Sequence, residues 1–425
     1  MKRVIVLAAF LVSSVAAQAV ELGGGYNEQL ADVYNALIVK SKIKWVRAYV
    51  NIPRNYLTYQ YPPFTALPNP IGGVMEGNLY QQPDHVSSDA DVLAIAAVDR
   101  LIYAKTVKVH CDPIKVILSL KHDFTYPYND KFPFGRVPTT PEEQEYVFEA
   151  IKTLLETNDR GQYIDILVVG NEPMFEIQPN TEESTASAYF NYLNFLVPKL
   201  DDLKNTKGWN FDLFVGALNR PSNLNTPPNT ILPAVLNFLQ ANPKRIAGID
   251  LHEHVMEPTD VRLDIQLVKQ YLQPGQKIIA TEFSLIELWN AHQNDLLGAW
   301  GILHGYPADW KLYQFINCFI DRAAVGRPMS RKHFMSYFNA QSWYPKHWFR
   351  TMYKIFQEEG VYAVTYGLEE SPRYPWALNK LNGESTPWVL NAVYNGTLFG
   401  IAKDGYYHTN PLVYPDFREE VKKMS

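Results

Sequence analysis

Short apolar runs rich in β-branched residues alternate along the chain with longer stretches of helical periodicity. Eight of these runs can be counted, and those at 164–172 and 246–254 turn polar only at their C-terminal ends. We predict strands at 20–26, 43–52, 114–122, 164–172, 211–219, 246–254, 277–283 and 361–367. Helical patterns are found at 28–39, 89–105, 141–157, 183–203, 230–241 and 261–272, with several more after Asp309. This alternation is typical of βα units around a parallel sheet.

Eight βα units predict an α/β chain that closes into a (β/α)₈ TIM barrel. The competing architecture, a doubly wound open sheet, is disfavoured because no glycine-rich nucleotide loop follows any of the strands. Two long inserts, 53–88 and 122–138, follow the second and third strands and are rich in Pro and Tyr. We therefore expect long loops on the C-terminal face, where barrels hold their active sites, and a single catalytic domain over 20–425.

The first 19 residues have the pattern of a cleavable signal peptide. Lys2 and Arg3 precede an apolar stretch at 4–15, and Ala17-Gln18-Ala19 is a cleavage site of small residues, so we expect cleavage after Ala19. An uncleaved anchor is the alternative. No other segment reaches the ~18 uninterrupted apolar residues of a membrane span. We expect a secreted or periplasmic protein.

Composition changes this picture little. The chain has 39 basic and 44 acidic residues, a net charge of -5, and no long basic tract, so nucleic acid is not an expected partner. Aromatic residues make up 13% of the chain, a density that suits stacking on sugar rings or simply a large aromatic core.

Cys111 and Cys318 allow at most one disulfide, and two buried thiols are equally compatible with the sequence. Asn395 begins an N-glycosylation sequon.

Two lone carboxylates are the sharpest chemical feature. Glu172 lies in Gly-Asn-Glu-Pro at the end of the fourth strand, and Glu282 lies in Ala-Thr-Glu-Phe at the end of the seventh. The ends of these strands face each other across a barrel mouth, so both carboxylates could flank one bond, as glycoside hydrolysis requires. Burial at a strand end would raise the pKa of Glu172 toward that of a general acid. The alternative is that each is a strand-end acid paired with a basic residue.

With these motifs the chain resembles clan A of the glycoside hydrolases, the retaining (β/α)₈ β-glycosidases. The resemblance extends over most of the chain as an order of elements, and Asn-Glu-Pro is its most specific motif. It implies that Glu172 is the acid/base, that Glu282 is the nucleophile, and that Asn171 binds the sugar 2-hydroxyl. It also implies hydrolysis of β-glycosidic bonds in a carbohydrate substrate, with no cofactor and no metal.

Further positions fit the resemblance. Arg47, in Trp-Val-Arg, matches an arginine that keeps the nucleophile ionised, with a surface ion pair as the alternative. His252 and His254, two residues apart on the sixth strand, share a face; His254 stands where clan members usually have a tyrosine. His122 is a candidate sugar contact or a structural histidine. The aromatic platform for the sugar is expected from Tyr366 or Trp376.

Two other functions remain open from the sequence. His252 and His254 could bind zinc in a metal-dependent amidohydrolase, although the further histidines and the closing Asp of such enzymes are missing. The chain could also be a non-catalytic glycan-binding barrel. Our main expectation is a secreted glycoside hydrolase acting on an oligo- or polysaccharide, with a lean toward an endo-β-glucanase.

Overall fold

The structure is a computed structural model that describes residues 20–25, 43–52, 114–122, 124, 135–223, 229–316, 318 and 329–367, with residues 98, 102 and 105. Eight parallel strands close into a barrel in chain order, and β8 pairs with β1. The strands are β1 (Glu21–Gly25), β2 (Trp45–Asn51), β3 (Lys115–Lys121), β4 (Ile166–Val169), β5 (Asp212–Asn219), β6 (Gly248–Glu253), β7 (Lys277–Phe283) and β8 (Ala363–Gly367). The predicted (β/α)₈ barrel and its eight strands are confirmed.

Helices surround this barrel. In the described part of the chain they are α1 (Pro141–Glu156), α2 (Pro173–Glu176), α3 (Glu183–Lys207), α4 (Ile231–Ala241), α5 (Pro258–Lys269), α6 (Ile286–His292), α7 (Gly298–Leu303), α8 (Arg331–Ala340) and α9 (Trp348–Glu358). None of them is both long and apolar enough to cross a membrane. The helix expected at 28–39, nearly all of that at 89–105, and the insert at 53–88 lie outside the described residues, as do the predicted signal peptide (1–19) and residues 368–425.

The interior of the barrel is filled by residues that alternate along the strands, among them Trp45, Ile117 and Phe214. Glycine makes room for these large side chains. A Cβ on Gly23 would lie 2.6 Å from the Cβ of Trp45, and a Cβ on Gly248 would lie 2.1 Å from the backbone oxygen of Lys277. Any larger residue at either position would push the neighbouring strand away.

Helices pack on the outer faces of the strands and form a second apolar layer. On one side, α9 buries Trp348, Phe349 and Phe356 against Phe283 of β7. α1 is fixed at its start by a capping box: the Thr140 hydroxyl accepts a hydrogen bond from the Glu143 amide, and the Glu143 carboxylate accepts one from the Thr140 amide. These contacts fix α9 and the start of α1 in place around the barrel.

Candidate active site

Polar side chains from the ends of five strands converge at the C-terminal mouth of the barrel. Glu172 and Glu282 are the two carboxylates of this cluster, and their side chains remain 26% and 21% exposed, so both are partly open to solvent. The surrounding side chains come from β2, the β4 end, β5 and β6: Arg47, Asn171, Asn219, His252 and His254. Most of the site residues predicted from the sequence therefore lie together at the barrel mouth.

The backbone holds Glu172 in a left-handed conformation, with φ of 42°, directly before α2. Its amide donates to the Ala217 oxygen at 3.0 Å, and its own carbonyl accepts from the amides of Phe175 and Glu176. Non-glycine residues adopt this conformation only when their surroundings enforce it. Here the turn directs the carboxylate into the mouth, where Oε1 accepts a hydrogen bond from Asn219 Nδ2 at 2.8 Å.

Glu282 is paired with a fully buried arginine. Arg47 Nη1 lies 2.5 Å from Glu282 Oε1. The other arms of the guanidinium donate to Ser119 Oγ at 3.2 Å and to Asn171 Oδ1 at 2.9 Å. Burial raises the pKa of Glu282, but the charges of His252 and Arg47 outweigh it and hold the pKa well below its usual range. Glu282 is therefore an ionised carboxylate.

Asn171 is held from both sides. Its Oδ1 accepts from Arg47, and its Nδ2 donates to Glu176 Oε1 at 2.9 Å. Glu176 in turn lies 2.9 Å from Lys121 Nζ, while burial raises the pKa of Glu176 to about 7 against the opposing effects of Lys121 and Asn171. Sequence reasoning did not identify Glu176. Its position four residues after Glu172, on the turn that follows the strand, is the signal that was available.

His252 connects Glu172 to a buried acid inside the barrel. Its Nδ1 lies 3.1 Å from Glu172 Oε1, and its Nε2 lies 3.2 Å from Thr281 Oγ1. The Thr281 hydroxyl donates to Asp250 Oδ2 at 2.5 Å, so it accepts from His252 and fixes a proton on Nε2. The second imidazole nitrogen, Nδ1, then shares one proton with Glu172.

The charges decide where this shared proton resides. Burial lowers the pKa of His252, but the charge of Glu282 and the hydrogen bond and charge of Glu172 outweigh it and raise the pKa. Burial raises the pKa of Glu172, but the hydrogen bond and charge of His252 outweigh it and lower the pKa. The raised pKa expected for Glu172 from burial alone is therefore wrong for this protein without substrate. The proton resides on the imidazole.

His254 contacts both carboxylates. Its Nε2 lies 3.4 Å from Glu282 Oε2 and 3.9 Å from Glu172 Oε1, and its Nδ1 lies 2.7 Å from Ser284 Oγ. The two carboxylate oxygens are thus closer together than the sum of those two distances. His254 occupies the place beside Glu282 that the resemblance gives to a tyrosine. Glu172, His252 and His254 also offer ligand atoms within 4.8 Å of one another, a spacing that could hold a metal ion.

Two nominated residues face away from the mouth, and one is not described. His122 is buried between the barrel and α3, where its ring stacks on Phe124 and meets Tyr192 edge-on; burial lowers its pKa to about 3. Tyr366 is fully buried against Trp348 and Phe349 of α9. Neither ring faces the mouth, so His122 fits the alternative of a structural histidine, and Tyr366 does not supply the aromatic platform. Trp376 lies outside the described residues.

Exposed apolar side chains stand near the site instead. Phe175 lies three residues after Glu172 and is 45% exposed, and Met256 lies two residues after His254 and is 42% exposed. Tyr49, two residues after Arg47 on β2, is partly exposed, with its ring centre 5.2 Å from the guanidinium carbon of Arg47. Sequence reasoning missed all three because a single apolar or aromatic residue within or just after a strand gives no periodic signal of its own.

No protein-family model and no curated protein matches the chain. Several solved structures resemble this chain at low sequence identity. The catalytic domain of a mannanase from Streptomyces sp. SirexAA-E is 13% identical, with a TM-score of 0.38 over 83% of this chain and 76% of that one. A psychrophilic family 10 endo-β-1,4-xylanase is 9% identical, with a TM-score of 0.43 over 95% and 96%. A fungal β-1,4-galactanase is 13% identical, with a TM-score of 0.43 over 94% of each chain.

These structural neighbours are glycoside hydrolases at low sequence identity. The barrel itself is established by the strand pairing of this chain. Its chemistry has to follow from the residues at the mouth.

Proposed function

We propose that the protein is an exported retaining glycoside hydrolase that cleaves β-glycosidic bonds. The observation that carries the proposal is the pair of carboxylates from β4 and β7 that both lie within 4 Å of one nitrogen of His254. Double displacement requires one carboxylate to attack the anomeric carbon while the other protonates the departing oxygen. The surroundings of Glu282 suit the attacking carboxylate, and those of Glu172 suit the proton donor.

Glu282 is suited to be the nucleophile because it stays ionised. The guanidinium of Arg47 pairs with one of its oxygens, and His254 faces the other. In the first step a Glu282 oxygen forms a bond to the anomeric carbon as the bond to the leaving oxygen breaks. The positive charge of Arg47 also stabilises the carboxylate when it is released in the second step.

Glu172 is suited to proton transfer because it shares a proton with His252. As the glycosidic bond breaks, the leaving oxygen takes this proton through Glu172, and the pair is left without it. In the second step the attacking water gives its proton to Glu172 while its oxygen bonds to the anomeric carbon and Glu282 leaves. The pair returns to its starting state, so no cofactor is consumed.

The substrate is proposed to be a carbohydrate chain, with a lean toward a β-glucan cut internally. Phe175 and Tyr49 are candidate stacking surfaces for sugar rings because each is an exposed or partly exposed aromatic next to a residue of the carboxylate cluster. Asn171, fixed by Arg47 and Glu176, is the candidate contact for the sugar 2-hydroxyl.

Trapping of the glycosyl-enzyme tests the proposal. The full chain is incubated with a panel of 2-deoxy-2-fluoro dinitrophenyl β-glycosides, including the glucoside, mannoside, galactoside and xyloside, and its intact mass is measured. We expect a mass increase of one fluoroglycosyl group, mapped by peptide sequencing to Glu282. The Glu282→Gln variant is the matched control and should stay unlabelled. Turnover of a glycan without labelling by any of the compounds would contradict the proposal, and glycan binding without turnover would favour a non-catalytic barrel.

A further inference from the structure

Three potential ligand atoms face one small space at the barrel mouth. His252 Nδ1 lies 3.1 Å from Glu172 Oε1, His254 Nε2 lies 3.9 Å from the same oxygen, and the ligand atoms of all three residues fall within 4.8 Å of one another. A tetrahedral zinc ion with bonds of about 2.0–2.1 Å has its ligand atoms about 3.3 Å apart. The observed spacings bracket this value.

The supporting contacts match those of metal-binding histidines, which donate their second ring N–H to a nearby oxygen. His252 Nε2 donates to Thr281 Oγ1, so Nδ1, which holds the proton shared with Glu172, is the ring atom that binds a metal once this proton is released. His254 Nδ1 lies 2.7 Å from Ser284 Oγ, and a hydroxyl can accept as well as donate, so Ser284 can hold the tautomer in which Nδ1 carries the proton and Nε2 does not. Both rings are fully or nearly fully buried and therefore held in place.

We propose that Glu172, His252 and His254 form a binding site for a divalent transition-metal ion, zinc above all, and that the bound ion inhibits the enzyme. Two imidazoles and one carboxylate suit Zn²⁺ and disfavour Mg²⁺ and Ca²⁺, which prefer oxygen ligands. The fourth position of the ion is bordered by Glu282 Oε2, 3.4 Å from His254 Nε2. The ion thus occupies the space between the two carboxylates.

Inhibition follows from what the ion displaces. When the ion binds His252 Nδ1, the proton held there is released to solvent, and coordination of Glu172 occupies the oxygen that has to receive and deliver a proton in catalysis. Carbohydrate and metal then compete for one space. This consequence rests on the proposed function, whereas the binding of the metal does not.

Calorimetric titration of the chelator-treated full chain with zinc chloride tests the site directly. We expect one saturable site per chain, with affinity lowered at least about tenfold in His252→Gln and in His254→Gln, since even supporting residues of metal sites typically cost that much. His347→Asn is the matched control, because His347 is an exposed histidine in a left-handed conformation that asparagine tolerates. It should leave the affinity unchanged, and magnesium chloride should give no binding.

The absence of a saturable zinc site, or a site that survives both glutamine substitutions, would overturn the proposal. Turnover measured on the same samples separates the two claims. Competitive inhibition by zinc supports both of them. Zinc binding in a protein that hydrolyses no glycoside would leave the metal site standing and remove the hydrolase, and zinc binding that leaves turnover unchanged or stimulates it would overturn inhibition.

Discussion

His252 Nδ1 lies 3.1 Å from Glu172 Oε1, and the opposite nitrogen of the same ring contacts Thr281, whose hydroxyl donates to the buried carboxylate of Asp250. One imidazole therefore links the candidate acid/base to the interior of the barrel. Glu172, whose pKa is lowered, and His252, whose pKa is raised, hold a single proton between them. Its titration should control activity at high pH.

Substitution of His252 by glutamine should move the alkaline limb of the kcat/KM profile to lower pH. In the native protein the proton is retained as pH rises until the raised pKa of His252 is passed. Without the imidazole the proton can reside only on Glu172, and a carboxyl group ordinarily loses it at lower pH than an imidazole does. The measurement is a pH–rate profile on one aryl glycoside, and an alkaline limb at the native position would argue against the shared proton.

Substitution of Glu172 by alanine should slow hydrolysis by an amount that depends on how much protonation the leaving group needs. Natural glycosides need protonation of the departing oxygen, so we expect a loss of about 10²–10⁴-fold in kcat. Dinitrophenyl glycosides need little protonation and should lose much less in the first step. Added azide should restore turnover by attacking the glycosyl-enzyme. Equal losses on both substrate types, with no effect of azide, would make Glu172 a structural residue.

Replacement of Arg47 by methionine should destabilise the protein as well as inactivate it. The guanidinium is fully buried and bonds to Ser119, Asn171 and Glu282, so the substitution leaves buried polar groups without partners. Breaking a buried ion pair in this way typically costs about 3–5 kcal/mol. Urea unfolding of Arg47→Met beside Arg47→Lys, which keeps the charge, measures the cost. A native-like unfolding free energy for Arg47→Met would contradict this account of the site.

Phe175→Ala should weaken substrate binding while leaving the chemical step nearly intact. The ring is 45% exposed beside Glu172 and makes its proposed contribution by stacking, worth about 0.5–1.5 kcal/mol or about 2- to 13-fold in KM. Leu303→Ala is the control, since Leu303 is 79% exposed on α7. Steady-state kinetics on an oligosaccharide compares the two. Equal KM values for both variants and the native chain would remove Phe175 from the binding surface.

Glu253, between the two histidines on β6, should make stability depend on pH. Burial and then the charge of Asp264 raise the pKa of Glu253 well above its usual range, so the folded protein keeps a proton that the unfolded chain loses above about pH 4.3. Stability therefore falls as pH rises, by about 1.4 kcal/mol for each pH unit over which this difference persists. Glu253→Gln keeps a donor and does not titrate.

Thermal unfolding of the native protein and Glu253→Gln at several pH values measures this effect. The two melting temperatures should be similar near pH 4, and the advantage of the variant should grow toward pH 8. Parallel curves across this range would show that Glu253 is not protonated in the folded state.

The sequence predicted the barrel because eight strand patterns alternate with helical patterns, and polar residues at strand ends lie at one mouth of such a barrel. It therefore also nominated Glu172, Glu282, Arg47, His252 and His254, which the structure brings together. Successive side chains of a strand point to opposite faces, so the direction of a side chain near a strand end depends on its place in this alternation.

The alternation of side chains along a strand explains why Tyr366 and His122 face away from the mouth. Thr365 faces inward, where its hydroxyl donates to the backbone oxygen of Thr281, so its neighbour Tyr366 faces α9. Ser119 bonds to Arg47 inside the barrel, and counting on from it places Lys121 inward and His122 outward. The location of the shared proton could not be predicted either, because it depends on the distances of Glu282 and Glu172 from His252, which only the fold sets.

The anomeric configuration of the first product tests the central claim most directly. Proton NMR recorded during the first minutes of hydrolysis of a β-glycoside, before the free sugar equilibrates, distinguishes the two stereochemical outcomes. Attack by Glu282 followed by attack of water predicts that the β-anomer appears first. Initial release of the α-anomer would show a single displacement by water, and the assignment of Glu282 as the nucleophile would be wrong.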